Sequence, residues 1–574
     1  MMANLSYADR CLVSALAGVV ALALYASAAW FTLTLTVIVV PPSEAHIQHG
    51  HFGSVSAYTY GAVFDRLISY RPWLEALLPV PHPTVSAYWA QTSQGASGLL
   101  SILLAAVIVG GCSAGVFAWR VAQLIPGRPR YRIVKGRTFA EGQAATARLK
   151  AELRPGRRPA PLEIAPKVYQ GAHPEEGGIG IVGSQASGKT IIVRRLIRQL
   201  HDRGDRLIIL DEKGVFTEQF PGDAVLLSPG DARSWAWDVA RDIDSGDLAD
   251  ALAHSLIPDS KEPIWSEGAR LVLAGVVRAL QAKKPGAWSW GDIAETLLLP
   301  TKDLTSLLER HYPVAARLLQ GKTADGSDSP TSNSFTVSTL APVFQLLSGL
   351  IDAWEGTPPE YRLSLREWLD GRSNTPKTLI LQRHADKPDF SERWLRGVFE
   401  TLSRRIGSPK YKADPSIQTW FVMDEFAQIK LDSFKAVLEV GREKNARAII
   451  TLQSIDQLTE NYGEAGRDVY LNLLSTRIVL NLAGSPANKT ICDHWIGTQE
   501  ISFFEETIAG DGTKRVREVS RTQDVVHPSE LSRLRKQKNG VEGLLIAHTT
   551  VGKLVWPYEN WPAQRPAFMP ERRR

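Results

Sequence analysis

The chain has 574 residues and a formal net charge of +6. That length exceeds one hydrophobic core, so two or more domains are expected, and the basic balance permits contact with nucleic acid or anionic lipid without requiring either. Three cysteines, Cys11, Cys112 and Cys492, form no close pair, which excludes a disulfide scaffold and a zinc signature.

From Cys11 to Val40 no residue is charged, and a second uncharged run, Ala96 to Trp119, follows a polar and aromatic interval. Each is long enough to cross a bilayer core of about 30 Å as a helix. A cleaved signal peptide would show a shorter apolar region and a small-residue cleavage site. Two spanning helices, about 11–40 and 96–119, are therefore predicted. The cluster Arg120, Arg128, Arg130, Arg132, Lys135 and Arg137 lies just beyond the second span and keeps that side cytoplasmic. Both termini are then inside, residues 41–94 form an external loop, and residues 1–125 form a membrane anchor. His46, His49 and His51 in the loop have no second group of ligands beside them, so a solvated polar loop is the reading.

Residues 126–177, rich in Arg, Pro, Ala and Gly, read as a basic linker. A nucleotide-binding domain begins at about residue 178. Ile179-Gly180-Ile181-Val182 reads as a short buried strand, and Gly183, Ser184, Gln185, Ala186, Ser187, Gly188, Lys189 and Thr190 fit the phosphate-cradling pattern G-x-x-x-x-G-K-[ST]. Ile192, Val193, Leu196, Ile197 and Leu200 then recur at helical spacing until Gly204. The strand–loop–helix turns backbone N–H groups toward phosphate oxygens. Lys189 would reach the β- and γ-phosphates and Thr190 would ligate Mg²⁺.

After the strand Leu207–Leu210 and the strand-like Ala224–Leu227, the pattern becomes helical. Residues 243–375 read as an all-α inserted domain, with one face built from Leu271, Val272, Ala274, Gly275, Val277 and Leu280. Thr323–Ser334 reads as a polar loop inside it. Alternation resumes over residues 376–560, with strands at Thr378–Leu381, Trp420–Met423, Ala448–Leu452 and Thr476–Leu480, helices at Ser391–Ile406 and Phe434–Glu443, and a final strand at Gly543–Ala547. Residues 561–574 read as a basic tail. Such alternation predicts an α/β fold with a parallel sheet and ligands at the carboxyl ends of its strands.

The second half narrows the chemistry. Trp420 to Met423 is an apolar strand ending in Asp424 and Glu425. In such folds the strand-end Asp orders Mg²⁺ and the following Glu polarises the attacking water. Gln453 ends the next strand, beside Asp424, where its amide can report on the γ-phosphate. Arg442 follows the helix between those strands, as a finger toward a neighbouring subunit or as a cation at a helix C-terminus.

Two N-terminal spans, Gly183–Thr190, Leu210-Asp211-Glu212-Lys213-Gly214, an insertion containing Ile264–Arg270, then Met423-Asp424-Glu425-Phe426, Gly441-Arg442 and Leu452-Gln453-Ser454 together resemble the TraD/TrwB-type coupling proteins of conjugative type IV secretion. The resemblance implies a RecA-like P-loop NTPase, a homo-hexamer at the bacterial inner membrane, using ATP and Mg²⁺. It implies relaxase-bound single-stranded DNA and the secretion channel proteins as partners. On it, Lys189 and Thr190 are nucleotide-binding, Asp424 and Glu425 the Mg²⁺-ordering and catalytic acids, Gln453 a γ-phosphate sensor and Arg442 a trans-acting finger. Two alternatives stay open: an FtsK-like translocase of double-stranded DNA, and a coupling receptor that delivers proteins only.

Overall fold

The computed structural model describes residues 131–153, 161–170, 177–260, 263–319, 330–484, 486–508 and 514–570. The predicted spans at 11–40 and 96–119 and the external loop lie outside these residues. Among the described residues no helix is long and apolar enough to cross a membrane.

The chain divides into two compact units. One comprises residues 133–502 and 520–574; the other includes Phe503–Val519, whose described residues belong to two long strands, Thr498–Ile508 and Lys514–Asp524. The larger unit is built on one sheet of eleven strands. In chain order they are β1 (Thr138–Glu141), β2 (Gly178–Val182), β3 (Arg206–Asp211), β4 (Val225–Leu227), β5 (Thr378–Gln382), β6 (Thr419–Met423), β7 (Ala446–Leu452), β8 (Leu474–Val479), β9 (Lys536–Gln537), β10 (Gly540–Ile546) and β11 (Thr550–Pro557). Their spatial order is β1-β11-β10-β8-β2-β7-β6-β3-β5-β4, with β9 paired to β10.

From β8 to β4 every pairing is parallel. The strands of this half are almost wholly buried, with half-buried residues only in β7 and β8, and successive side chains enter opposite cores, as the two-residue period of a strand requires. Ile208, Leu210, Phe421 and Met423 join one core, whereas Leu207, Ile209, Trp420 and Val422 join the other. The helix Lys189–Arg203 covers the second core with the predicted residues Ile192, Val193, Leu196, Ile197 and Leu200, and Gly204 caps it at φ +81°. The helices of the insertion cover the first core.

Several expectations are corrected. The predicted linker 126–177 contains folded elements: β1 pairs with β11, and the helix Gly142–Glu152 buries Ala145 and Leu149 beside them. The apolar residues Ala140, Ala145 and Leu149 join a core whose other surface includes β11, more than 400 residues away in sequence. The predicted final strand, seen as β10, is followed by β11, and both β8–β10 and β10–β11 are antiparallel. The sheet is mostly parallel with an antiparallel flank. The insertion is not wholly helical, since the two-residue strand Arg362–Leu363 pairs with Ala236–Trp237 at its root. Of the predicted loop Thr323–Ser334, the part from Pro330 opens the helix Pro330–Trp354, and the rest lies outside the described residues. The helix from Phe434 stops at Val440 instead of Glu443.

Candidate nucleotide site

Parallel pairing brings the ends of β2, β7, β6, β3 and β5 to one edge of the sheet, so the loops that follow them converge. Gly183, at the end of β2, donates its N–H to Leu452 O of β7 at 3.0 Å, and Ser184 donates to Asn481 O at 2.8 Å. A Cβ on Gly183 would lie 2.4 Å from Ser187 Oγ. Ala186 and Gly188 both have positive φ, +59° and +108°, and a Cβ on Gly188 would meet Val541 Cγ2 at 2.7 Å. The second glycine is therefore required twice, by its backbone conformation and by its packing. Gln185 and Ala186 are exposed at the rim, while Ser187 is buried with its hydroxyl unpartnered.

Lys189 is 7% exposed and folds back, donating from Nζ to Gly183 O at 2.6 Å and to Ser184 O at 3.2 Å. Burial lowers its pKa, opposed by the charges of Glu425 and Asp424. Thr190 follows, half-buried, in the first turn of the helix.

The strand β7 lies between β2 and β6, so Gln453 stands between the phosphate loop and the acids. Its Nε2 donates to Glu425 Oε2. Lys213 Nζ, on the loop after β3, donates to Glu425 Oε1 at 2.9 Å. Glu425 has φ +53° and ψ +47°, the left-handed region that a residue with a Cβ seldom occupies. Thr451 Oγ1 accepts from Glu425 N at 2.9 Å and donates to Asp424 Oδ1 at 3.0 Å. Burial raises the Asp424 pKa to about 6, with the Glu425 and Asp211 charges adding and the Thr451 hydrogen bond opposing.

Around these groups stand others to which the sequence pattern assigned no chemical role. Asp211 ends β3 fully buried, accepting from Thr217 N at 2.6 Å and Thr217 Oγ1 at 2.8 Å, and burial raises its pKa. Glu212 pairs with Arg383, at the end of β5. Gln382 Nε2 donates to Ala567 O at 2.7 Å, and Arg565 donates to Phe220 O at 3.0 Å, so the stretch read as a basic tail packs against the body as far as Pro570. A run of charges directly after a buried strand signals Asp211 to Lys213. Thr451 and Arg383 are polar residues inside or just beyond apolar strands, a pattern with no comparable signal.

Arg442 is not part of this site within its own chain. It is exposed in the turn after Val440, which leads into the amino end of β7, whereas Gln453 follows the carboxyl end. Seven strand residues separate the two edges by about 20 Å. The Arg270 of the Ile264–Arg270 stretch is also structural: it is buried, and its guanidinium donates to Ile257 O, Asp259 and Glu267.

Oxygen donors, a hydroxyl and a carboxylate, are the ligand type that Mg²⁺ takes, and Thr190 and Asp424 supply them. Among the described residues there is no cluster of three or more His, Cys, Asp or Glu side chains able to hold a metal ion.

Residues 164–547, well over half of the chain, match the family TrwB_AAD_bind, described as "Type IV secretion-system coupling protein DNA-binding domain". Coupling protein TraD of Escherichia coli (strain K12) is 25% identical over 416 residues, 68% of this chain and 53% of that protein, so the chain spans about half the length of this curated relative. Among solved structures, the fold resembles the bacterial conjugative coupling protein TrwBdeltaN70 in an unbound form, at 21% identity and a TM-score of 0.61 over 77% of this chain and 97% of that one. It equally resembles plasmid coupling protein TrwB in complex with ADP and Mg²⁺, at 20% identity and a TM-score of 0.60 over 78% and 99%. The chain belongs to the type IV secretion-system coupling protein family.

Proposed function

We propose that this protein is an ATPase of a conjugative type IV secretion system that links relaxase-bound DNA to the secretion channel and drives DNA transfer. The observation that carries the reading is the convergence of Gly183–Thr190, Asp424, Glu425 and Gln453 at one sheet edge, in a chain whose matched family is described as DNA-binding. The ADP and Mg²⁺ held by the similar TrwB structure support the same cofactors here. An FtsK-like identity has no support from the family match.

In this reading the backbone N–H groups of Gly183–Thr190 cradle the β- and γ-phosphates. Lys189 exchanges its two loop carbonyls for phosphate oxygens. Thr190 and Asp424 would hold Mg²⁺, which would supply charge stabilisation at the phosphates. Glu425 accepts the proton of the attacking water, and Gln453 orients that water. Arg442, remote from its own site, is assigned to the site of the next subunit in a homo-hexamer. The predicted spans 11–40 and 96–119 anchor the assembly in the inner membrane, with the catalytic unit cytoplasmic.

The test is ATP hydrolysis by the full chain in detergent or nanodiscs, with and without single-stranded DNA. Turnover should rise with DNA, and DNA affinity should fall steeply with salt as counterions are released. Lys189→Ala should lower turnover by about 100-fold or more, the scale of losing a principal charge donor at the phosphates. Hydrolysis indifferent to DNA, with salt-insensitive binding, would favour the receptor that delivers proteins only.

A further inference from the structure

The side chain expected to take a proton from water has both its oxygens occupied by donors. Glu425 Oε1 accepts from Lys213 Nζ at 2.9 Å, and Oε2 accepts from Gln453 Nε2. Two donors, one of them cationic, fix where the carboxylate points, and a proton acceptor must lie within hydrogen-bond reach of the water it serves. The restraint is unequal. Gln453 follows directly on β7, which is hydrogen-bonded on both sides, whereas the Lys213 side chain is 52% exposed.

The backbone beneath Lys213 is fixed. Gly214 has φ +75°, and a Cβ there would meet Gln382 Nε2 at 2.8 Å and Ala567 Cβ at 3.2 Å. Asp211 is held by Thr217, and Glu212 by Arg383. Of the three charged residues in this turn, Lys213 alone carries its charge to the rim of the site on a long side chain. Its pinned base and free head allow the ammonium to engage Glu425 or leave it without moving the loop.

We propose that Lys213 is a positioning residue that restrains Glu425, and that departure of its ammonium releases the carboxylate to accept a proton from water. The inference rests on the ATPase reading above. Hydrogen bonding to Glu425 also raises the Lys213 pKa, keeping the cation charged while the pair is closed.

The experiment compares steady-state hydrolysis by full-length wild type, Lys213→Ala, Lys213→Arg and Glu425→Gln, with binding of a fluorescent ATP analogue measured in parallel. Lys213→Ala should raise basal kcat by about twofold to fivefold, the range available from an ion pair with one half-exposed partner. Its KM for ATP should stay within about twofold of wild type. Lys213→Arg retains a cationic donor and should return kcat toward wild type. A kcat for Lys213→Ala at or below the wild-type value overturns the proposal, as does an Arg variant no closer to wild type than the Ala variant. If Lys213→Ala melts at a lower temperature than wild type, Lys213→Gln replaces it with the same expected rise. Glu425→Gln should bind the analogue and hydrolyse no ATP. Normal hydrolysis by that variant would defeat the ATPase assignment itself, whatever Lys213 does.

Discussion

Thr451 sets both acids of the site with one hydroxyl, donating to Asp424 Oδ1 and accepting from Glu425 N–H. The second bond helps hold Glu425 in its left-handed conformation, which costs a residue with a Cβ on the order of 1–3 kcal/mol. Thr451→Val keeps the shape and removes both bonds, leaving a buried Asp424 oxygen and a backbone donor without partners. We expect a loss of about 1–3 kcal/mol in chemical denaturation and reduced ATP turnover, with Thr451→Ser close to wild type. Unchanged stability and turnover in the Val variant would remove Thr451 from the site. The Gly183–Thr190 loop was legible because its pattern encodes local conformation: Gly188 sits where a positive φ and a close Val541 leave room for no side chain. Thr451 was not legible, since a β-branched residue inside Ala446–Leu452 reads as ordinary strand.

At the scale of elements, the two ends of the insertion are tied together by a buried acid. Asp242 accepts from Ser364 Oγ at 2.6 Å, Trp237 Nε1 at 2.8 Å, Leu365 N at 2.8 Å and Arg366 N at 3.0 Å. It thereby joins the start of the insertion to its return. Beside it Trp237, Trp290, Trp354 and Trp394 form a chain of ring contacts at 5.6, 6.4 and 5.8 Å. Burial pushes the Asp242 pKa up to about 6 despite its four donors. An acid with a raised folded-state pKa binds its proton more tightly in the folded state. Its contribution is therefore fully present at low pH and is lost as pH rises from about 4 to about 6, by about 3 kcal/mol in total. Hydrogen exchange of the helix Gly246–Leu256 should show this slope in wild type and not in Asp242→Asn. Parallel pH dependences in the two proteins would rule the acid out as its source. The sequence pattern made the helices of this region visible through their 3.6-residue periodicity, but Asp242 is an unremarked acid among many until Ser364, more than a hundred residues on, is folded onto it.

The whole molecule separates its own nucleotide site from Arg442, which lies at the opposite edge of the sheet. If Arg442 completes a neighbour's site, mixtures of Arg442→Ala and Glu425→Gln subunits should recover activity, since some interfaces then pair an intact acid with an intact arginine. Recovery should approach about a quarter of wild type in equal mixtures, when each interface works independently and subunits assort at random. No recovery from properly assembled mixtures would leave Arg442 as a surface cation.

What the sequence by itself determined was local: most strands and helices of the parallel half of the sheet, the strand–loop–helix at Gly183–Thr190, and the acids at the end of an apolar strand. These follow from short-range periodicity and from conformations that only certain residues adopt. Tertiary structure alone decided which loops meet. The Lys213–Glu425 pair spans 212 residues, the Gln382–Ala567 bond spans 185, and β1 finds β11 across the length of the larger unit. Such contacts depend on strand order, and a strand buried on both faces presents much the same apolar pattern whichever neighbour it pairs with.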